Sequence, residues 1–138
     1  MITPEDVKEV LGRRALTVCD TVVEDNRPNA TDEKLTQFIV VSLPYSSVNK
    51  TIGESDDWWI DMTVVYEVYV ADTKVAKKPN RTSSKAMKAL RKKIFELFPI
   101  VDMELGIKIT TPRTIVNSAS DGNAYHYTRI QAKMTTLV

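Results

Sequence analysis

Residues 58–71, WWIDMTVVYEVYVA, contain the strongest structural signal in the chain, because apolar and mixed positions alternate along the whole stretch. Successive side chains of a β-strand point to opposite faces, so the pattern predicts one long strand with a buried face and a partly hydrated face. The predicted buried face consists of Trp58, Ile60, Met62, Val64, Tyr66, Val68 and Val70. At about 3.3 Å per residue the strand would span roughly 45 Å, which is more than a domain of this size needs. We therefore expect part of it to project as an arm or hairpin.

Two amphipathic helices are predicted, one before and one after this strand. The first has Thr3 as its N-cap and Pro4 at its first helical position, where proline lacks only a hydrogen bond that the helix does not need. The second begins at Ser83 or Ser84 and ends near Phe98. Its apolar and basic residues fall on opposite sides of a helical wheel, so we expect it to lie on a sheet.

Further strands are predicted from alternation and from turn-forming residues. The predicted strands are residues 35–43, 106–110, 114–116 after a break at Pro112, and 124–136. The predicted connections are the loops 24–34 and 44–57, the basic linker 72–83 and the turn 118–123. The element order predicts an α+β fold: one domain over residues 1–138, with an antiparallel or mixed sheet of about four strands, an amphipathic helix packed on one face and an N-terminal helix.

Composition narrows the function classes. The chain has 138 residues, a formal net charge of +1, one Cys and one His. One cysteine excludes an internal disulfide framework, and one Cys with one His is too few ligands for a Cys/His zinc site. No apolar run reaches the roughly 18 residues of a membrane helix, and the N-terminal residues lack a signal-peptide pattern. We expect a cytosolic or particle-associated domain that does not contact a membrane.

No catalytic, metal or cofactor site is predicted. Cys19 and His126 are the only nucleophile and base of the type that covalent catalysis uses, and both fall among apolar positions typical of structural residues. An acidic group could offer oxygen ligands to a hard cation, but it lacks the ligand spacing and glycine of an EF-hand loop. This group consists of Glu54, Asp56, Asp57 and Asp61. We expect a protein that is not an enzyme and has no cofactor.

The charges are strongly segregated along the chain. Nine of the nineteen Lys and Arg residues lie between Lys74 and Lys93, and none of the eighteen acidic residues does. The candidate interaction residues of this basic segment are Lys77, Lys78, Arg81, Lys85, Lys88, Arg91 and Lys92. Three interpretations stay open: a solvated helix face, contact with nucleic-acid phosphates, or docking onto acidic loops (residues 20–33 and 54–61) of another copy.

Aromatic residues on the second face of the long strand are a further sign of assembly. Trp58 and Trp59 are adjacent and must point to opposite faces, and Tyr69 shares the wetter side with Trp59. Such residues commonly anchor a partner protein, so Trp59 and Tyr69 are candidate contacts. The alternative is that a helix, such as the N-terminal one, covers this face.

With these elements in order, the chain resembles the tail terminator, or tail completion, proteins of tailed bacteriophages, which act at the head–tail junction. The resemblance covers size, the early helix TPEDVKEVL, the strand WWIDMTVVYEVYV and the basic helix SSKAMKALRKKIFELF followed by terminal strands. It implies a homo-oligomeric ring, often a hexamer, that caps the tail tube and binds tail, neck or connector proteins. It also implies assembly in the host cytoplasm and a final location in the virion.

Our leading hypothesis is therefore a ring-forming structural protein of the phage tail or neck that joins the tail tube to the head or connector. The second hypothesis is a nucleic-acid-binding accessory domain that uses the basic segment 74–93 for non-specific contact with DNA. A third is a small enzyme that uses Cys19 or His126.

Overall fold

The long alternating strand lies at the centre of the sheet in a computed structural model of the chain. The structure describes residues 4–24, 36–43, 47–51, 58–75, 78–81, 84–120 and 125–136. Its elements are α1 (Pro4–Ala15), β1 (Val22–Glu24), β2 (Gln37–Ser42), β3 (Ser47–Thr51), β4 (Trp58–Ala71), β5 (Thr73–Val75), β6 (Lys78–Arg81), α2 (Ser84–Glu96), β7 (Ile100–Asp102), β8 (Ile107–Ser120) and β9 (Tyr125–Thr136). The predicted α+β fold is confirmed, as are both helices and the strands at β2, β4 and β9.

The main sheet is mixed and curled, with the strand order β1-β2-β4-β9-β8-β7. β1 and β2 are parallel, whereas every other described neighbouring pair in this sheet is antiparallel. The predicted sheet type is correct, but six strands lie in line instead of about four, and β3 adds a seventh. β1 and β7 were missed because each has only three residues, too few to show alternation.

β4 uses its length to pair with three strands. Residues 62–71 pair with β9 on one edge, and residues 65–70 pair with β2 on the other. Residues 58–62 pair with β3, so the first residues of β4 form a two-stranded extension next to the main sheet. The prediction that residues 44–57 are only a loop is wrong, because β3 lies within them. Its sequence SVNKT has little apolar alternation, so the pattern of side chains does not predict this strand. The strand forms through backbone pairing with β4.

The predicted linker 72–83 also contains regular structure. β5 and β6 form an antiparallel pair in which Thr73 lies opposite Arg81 and Val75 opposite Lys78. Lysine and proline are unfavourable in central strands, which is why this segment looked like a linker. A short two-stranded ribbon tolerates them because most of its backbone is on an edge.

β8 is one strand, and the predicted break at Pro112 is wrong. The register against β9 shifts between Thr110 and Arg113 and at two later places, so β8 continues through β-bulges. A bulge accepts a proline because its residues lie outside the regular ladder. The predicted turn 118–123 is wrong for residues 118–120, since β8 extends to Ser120; residues 121–124 lie outside the described residues.

Both helices pack on one face of the sheet. Their buried side chains join one core with alternate residues of the strands: Val7, Val10, Leu11, Met87, Leu90, Ile94, Ile39, Val41, Tyr66, Val68, Ile130 and Met134. Residues at the opposite parity, Phe38, Val40, Tyr69 and Tyr125, form a second cluster. Because side chains alternate along a strand, this second cluster lies on the other face. No helix in the described part of the chain is long and apolar enough to cross a membrane.

One buried hydrogen bond joins α1 to the central strand. The hydroxyl of Tyr66 donates to the backbone oxygen of Leu11 at 2.7 Å, and the Tyr66 ring meets Phe98 edge to face. Burial raises the pKa of the Tyr66 hydroxyl well above its ordinary value, and the nearby Arg14 charge offsets part of that shift. The hydroxyl is therefore a neutral donor that fixes α1 over β4.

We predict that Tyr66→Phe lowers the free energy of unfolding by about 1 kcal/mol at neutral pH, because a buried hydrogen bond is lost without a large cavity. The folded-state pKa is raised, so the unfolded wild-type chain releases this proton first, and the contribution of the hydroxyl to stability decreases above about pH 10. Urea unfolding at neutral and alkaline pH measures both effects.

Tyr127→Phe is the matched control, since the Tyr127 ring is half-buried and its hydroxyl has no partner among the described residues. This variant should unfold within about 0.5 kcal/mol of the wild type. A difference between the wild type and Tyr66→Phe that widens above pH 10 would contradict the assignment.

Candidate functional site

α2 displays the basic segment on its solvent face. The helix buries Met87, Leu90 and Ile94 against the sheet. Lys85, Lys88, Lys92 and Lys93 are exposed on its outer side. The apolar face holds the helix in place, so the lysines on the outer side are not required for packing.

Arg91 differs from these lysines because its side chain forms a hydrogen bond within the fold. Its Nη1 donates to Oδ1 of Asn117 on β8 at 2.7 Å, and the side chain is half-buried. This contact fixes α2 against β8. Arg91 was predicted as an interaction residue on charge alone, and the structure gives it this internal partner.

Three of the four exposed lysines form a stripe. Lys85, Lys88 and Lys92 are spaced by three and four residues, so they lie along one side of α2 over about 10 Å. None of the three has a carboxylate partner in the described part of the chain. We call these three residues the lysine stripe. Unpaired ammonium groups in a row favour contact with an external anionic surface.

Three other members of the predicted basic segment precede α2 in the chain. Lys77 lies outside the described residues. Lys78 and Arg81 lie at the two ends of β6, where their backbones pair with β5. The stripe on α2 is therefore the group of predicted interaction lysines whose exposure the structure describes.

The predicted acidic counterpart falls largely outside the described residues. Glu54, Asp56 and Asp57 belong to residues 52–57, which the structure does not describe. Asp61 lies in β4 opposite Val48 of β3. Docking of the basic segment onto these acids thus stays a prediction.

The two predicted aromatic contacts have different outcomes. Trp59 lies in β4 opposite Lys50 of β3. Tyr69 was expected on the wetter side of the strand, and this expectation is wrong: its side chain is only 7% exposed. Its ring stacks on Phe38 at 4.6 Å and on Tyr127 at 5.4 Å between ring centroids. The neighbouring strands β2 and β9 supply aromatic residues at the same height, which one strand's pattern does not reveal.

The suggested alternative, that the N-terminal helix covers the face of Tyr69, is also wrong. The buried residues of α1 belong to the core on the opposite face of the sheet. The Tyr69 side chain is instead covered by aromatic residues of β2 and β9 on its own face of the sheet.

Cys19 and His126 have separate structural partners. The Sγ of Cys19 donates to the backbone oxygens of Thr21 at 3.5 Å and Gln37 at 3.8 Å, and burial raises the pKa of this thiol. A raised pKa disfavours the thiolate that nucleophilic catalysis needs. Among the described contacts, none joins Cys19 to His126.

His126 instead contacts a carboxylate that sequence reasoning missed. Its Nδ1 meets Oδ1 of Asp72, the residue that follows the end of β4. The Asp72 side chain is 3% exposed, and its second oxygen has no hydrogen-bond partner among the described residues. No pattern in the sequence predicts this contact. It follows from the register of β4 against β9, which places Val70 opposite His126 and so brings Asp72 near the start of β9. The pair joins β4 to β9.

The described residues contain no group of three or more His, Cys, Asp or Glu side chains that could hold a metal ion. The pair of Asp72 and His126 alone supplies two such groups.

Comparison with known proteins supports the fold without naming a function. The sequence matches no protein-family model, and a search of curated proteins finds no match. The structure is similar to a solved structure whose name describes no activity, with a TM-score of 0.63 and 12% sequence identity. The similarity covers 96% of this chain and 91% of the other chain. At this identity it shows that the arrangement of helices and strands recurs over nearly the whole chain.

We predict that Asp72→Ala destabilises the fold by about 2 kcal/mol, because it leaves a largely buried imidazole without its partner. Glu67→Ala in β4 is the matched control. Glu67 accepts a hydrogen bond from Arg129 at 3.1 Å, but the Arg129 side chain is 41% exposed and can be hydrated once the pair is lost. We expect a loss of about 1 kcal/mol or less for the control. Thermal and urea unfolding measure both values, and equal losses would contradict a special role for the buried pair.

Proposed function

We propose that this chain is a structural assembly protein that works as a homo-oligomeric ring of the tail-terminator type in a phage virion. In this role it joins the tail tube to the head or connector and binds neighbouring tail or neck proteins. The observation that carries the proposal is the lysine stripe: three exposed ammonium groups without carboxylate partners among the described residues, held on a helix whose other face is buried.

The charge pattern supports contact between copies. All eighteen acidic residues lie outside residues 74–93, so one copy offers an acidic body to the basic helix of the next. Complementary charges steer association and set the register of an interface. Such contacts repeat head to tail when the basic and acidic surfaces lie on different parts of the chain, and they form a ring where the rotation between copies closes.

The fold is compatible with this role. The long β8 and β4 strands and the β3–β4 extension give the chain elongated strand surfaces. The resemblance to tail terminators rests on an early helix, a long strand, a basic helix and terminal strands, and α1, β4, α2, β8 and β9 lie at these positions.

The same lysine stripe supports a second candidate, non-specific contact with nucleic acid. Clustered lysines neutralise phosphates without reading bases, and the affinity then decreases steeply with salt. The two candidates differ in the partner that binds the stripe: another copy of the chain or a polyanion.

The experiment is the absolute mass of the full chain by light scattering at low and high ionic strength, with particle images of any large species. We expect a discrete ring of several subunits that dissociates as salt screens the contacts. The double variant Lys88→Glu, Lys92→Glu should shift the mass toward monomer at the same protein concentration.

The matched control is Lys93→Glu, Lys108→Glu, which makes the same change in net charge at exposed lysines outside the stripe. This control should assemble like the wild type. A wild-type chain that stays monomeric at every salt and protein concentration would contradict self-assembly. A salt-sensitive mobility shift with DNA by such a monomer, lost in the stripe variant, would favour the second candidate.

A further inference from the structure

A second group of cationic side chains lies on the sheet face that the helices do not cover. At the first bulge of β8, Thr110 pairs with Lys133 and Arg113 pairs with Gln131. Lys133 and Gln131 have the parity of Tyr127, whose side chain packs against the second cluster, so they lie on the face opposite α2.

The bulge opens a groove between β8 and β9. Two residues of β8, Thr111 and Pro112, lie between the paired positions, and only Ala132 lies opposite them on β9. The resulting open groove has a volume of about 350 Å³. Its lining residues are Thr111, Arg113, Gln131, Ala132 and Lys133.

The residues that line the groove provide hydrogen-bond donors and two positive charges, and no Asp or Glu is among them. Arg113 and Lys133 are exposed, and neither has an ion-pair partner among the described residues. Gln131 adds an amide. The acid next along this face, Glu67, is already paired with Arg129 at 3.1 Å. Two cations that face one groove repel each other unless an anion lies between them.

The backbone of the groove is strained, and this is an independent observation. Thr111 has a φ of 55°, in the left-handed region that a β-branched residue rarely occupies. Its hydroxyl donates to the backbone oxygen of Thr110 at 2.7 Å, which holds the conformation. Bulges of this kind redirect side chains, and strained residues that persist in a fold concentrate at binding sites.

We propose that this groove binds an oxyanion, the phosphate or carboxylate group of a small molecule or side chain. The Arg113 guanidinium offers a planar pair of donors to two oxygens, the Lys133 ammonium supplies a second positive charge, and the Gln131 amide supplies a neutral donor. The volume exceeds that of a bare phosphate, so the group that carries the oxyanion also has room. The site is on the opposite face from the lysine stripe and does not depend on the proposed function.

The test is a titration of the isotopically labelled full chain by NMR, with inorganic phosphate in one arm and acetate in the other, at constant ionic strength. We expect saturable shifts at the amides of Thr111, Arg113, Gln131 and Lys133, with a Kd of the order of 1 mM. The arm that saturates identifies the bound group as phosphate or carboxylate.

Arg113→Gln and Lys133→Gln should each weaken the binding by roughly tenfold or more, since each removes a charge-assisted contact. The control Lys108→Gln removes an exposed lysine of β8 outside the groove and should leave the Kd unchanged. The same spectra report whether each variant is folded. The proposal is overturned if neither anion gives saturable shifts at the groove, or if the variants bind as the wild type does.

Discussion

The fold is organised around the two-sided pairing of β4, whose backbone bonds to β3 and β2 on one edge and to β9 on the other. Its side chains alternate between the helix-covered core and the aromatic cluster. Because the side-chain period of a strand is two, a slip by one residue would send every core side chain to the wrong face. The register of β2 and β9 and the position of both helices are thus fixed by one pattern.

Charge and packing are separated in this fold. α2 contributes Met87, Leu90 and Ile94 to the core and is tied to β8 through Arg91, so its stability does not require the lysine stripe. At the groove of the first β8 bulge, Thr111, Arg113, Gln131 and Lys133 likewise belong to neither buried cluster, and only Ala132 is shared with the core. A chain built in this way can change its surface charges with little effect on its core, since exposed positions contribute little to stability. The proposed interaction surfaces and the buried core therefore depend on largely different residues.

The fold class, both helices and the strands with strong alternation were predictable from sequence, because burial on one face imposes a period that a single segment displays. β3 and the β5–β6 pair were not, because SVNKT and KPNR are strands through backbone pairing and lack that period. The continuation of β8 past Pro112 also depends on a bulge that only the partner strand reveals. For the candidate site, exposure of the lysines followed from the helical wheel. The Asn117 partner of Arg91, the burial of Tyr69 and the groove beside Thr111 depend on contacts between distant segments.

The adjacency of β4 and β9 has a consequence for how the chain acquires its structure. Val64 and Ala132 face each other across this central ladder although 67 residues of chain separate them, and α2, β7 and β8 lie between. Closing a loop of this length costs conformational entropy before the hydrogen bonds between the two strands can form. Sheets of this topology therefore fold slowly. During synthesis the β4 edge stays unpaired until β9 has left the ribosome. Until then, an apolar strand edge is open to other chains, and aggregation competes with folding during that interval.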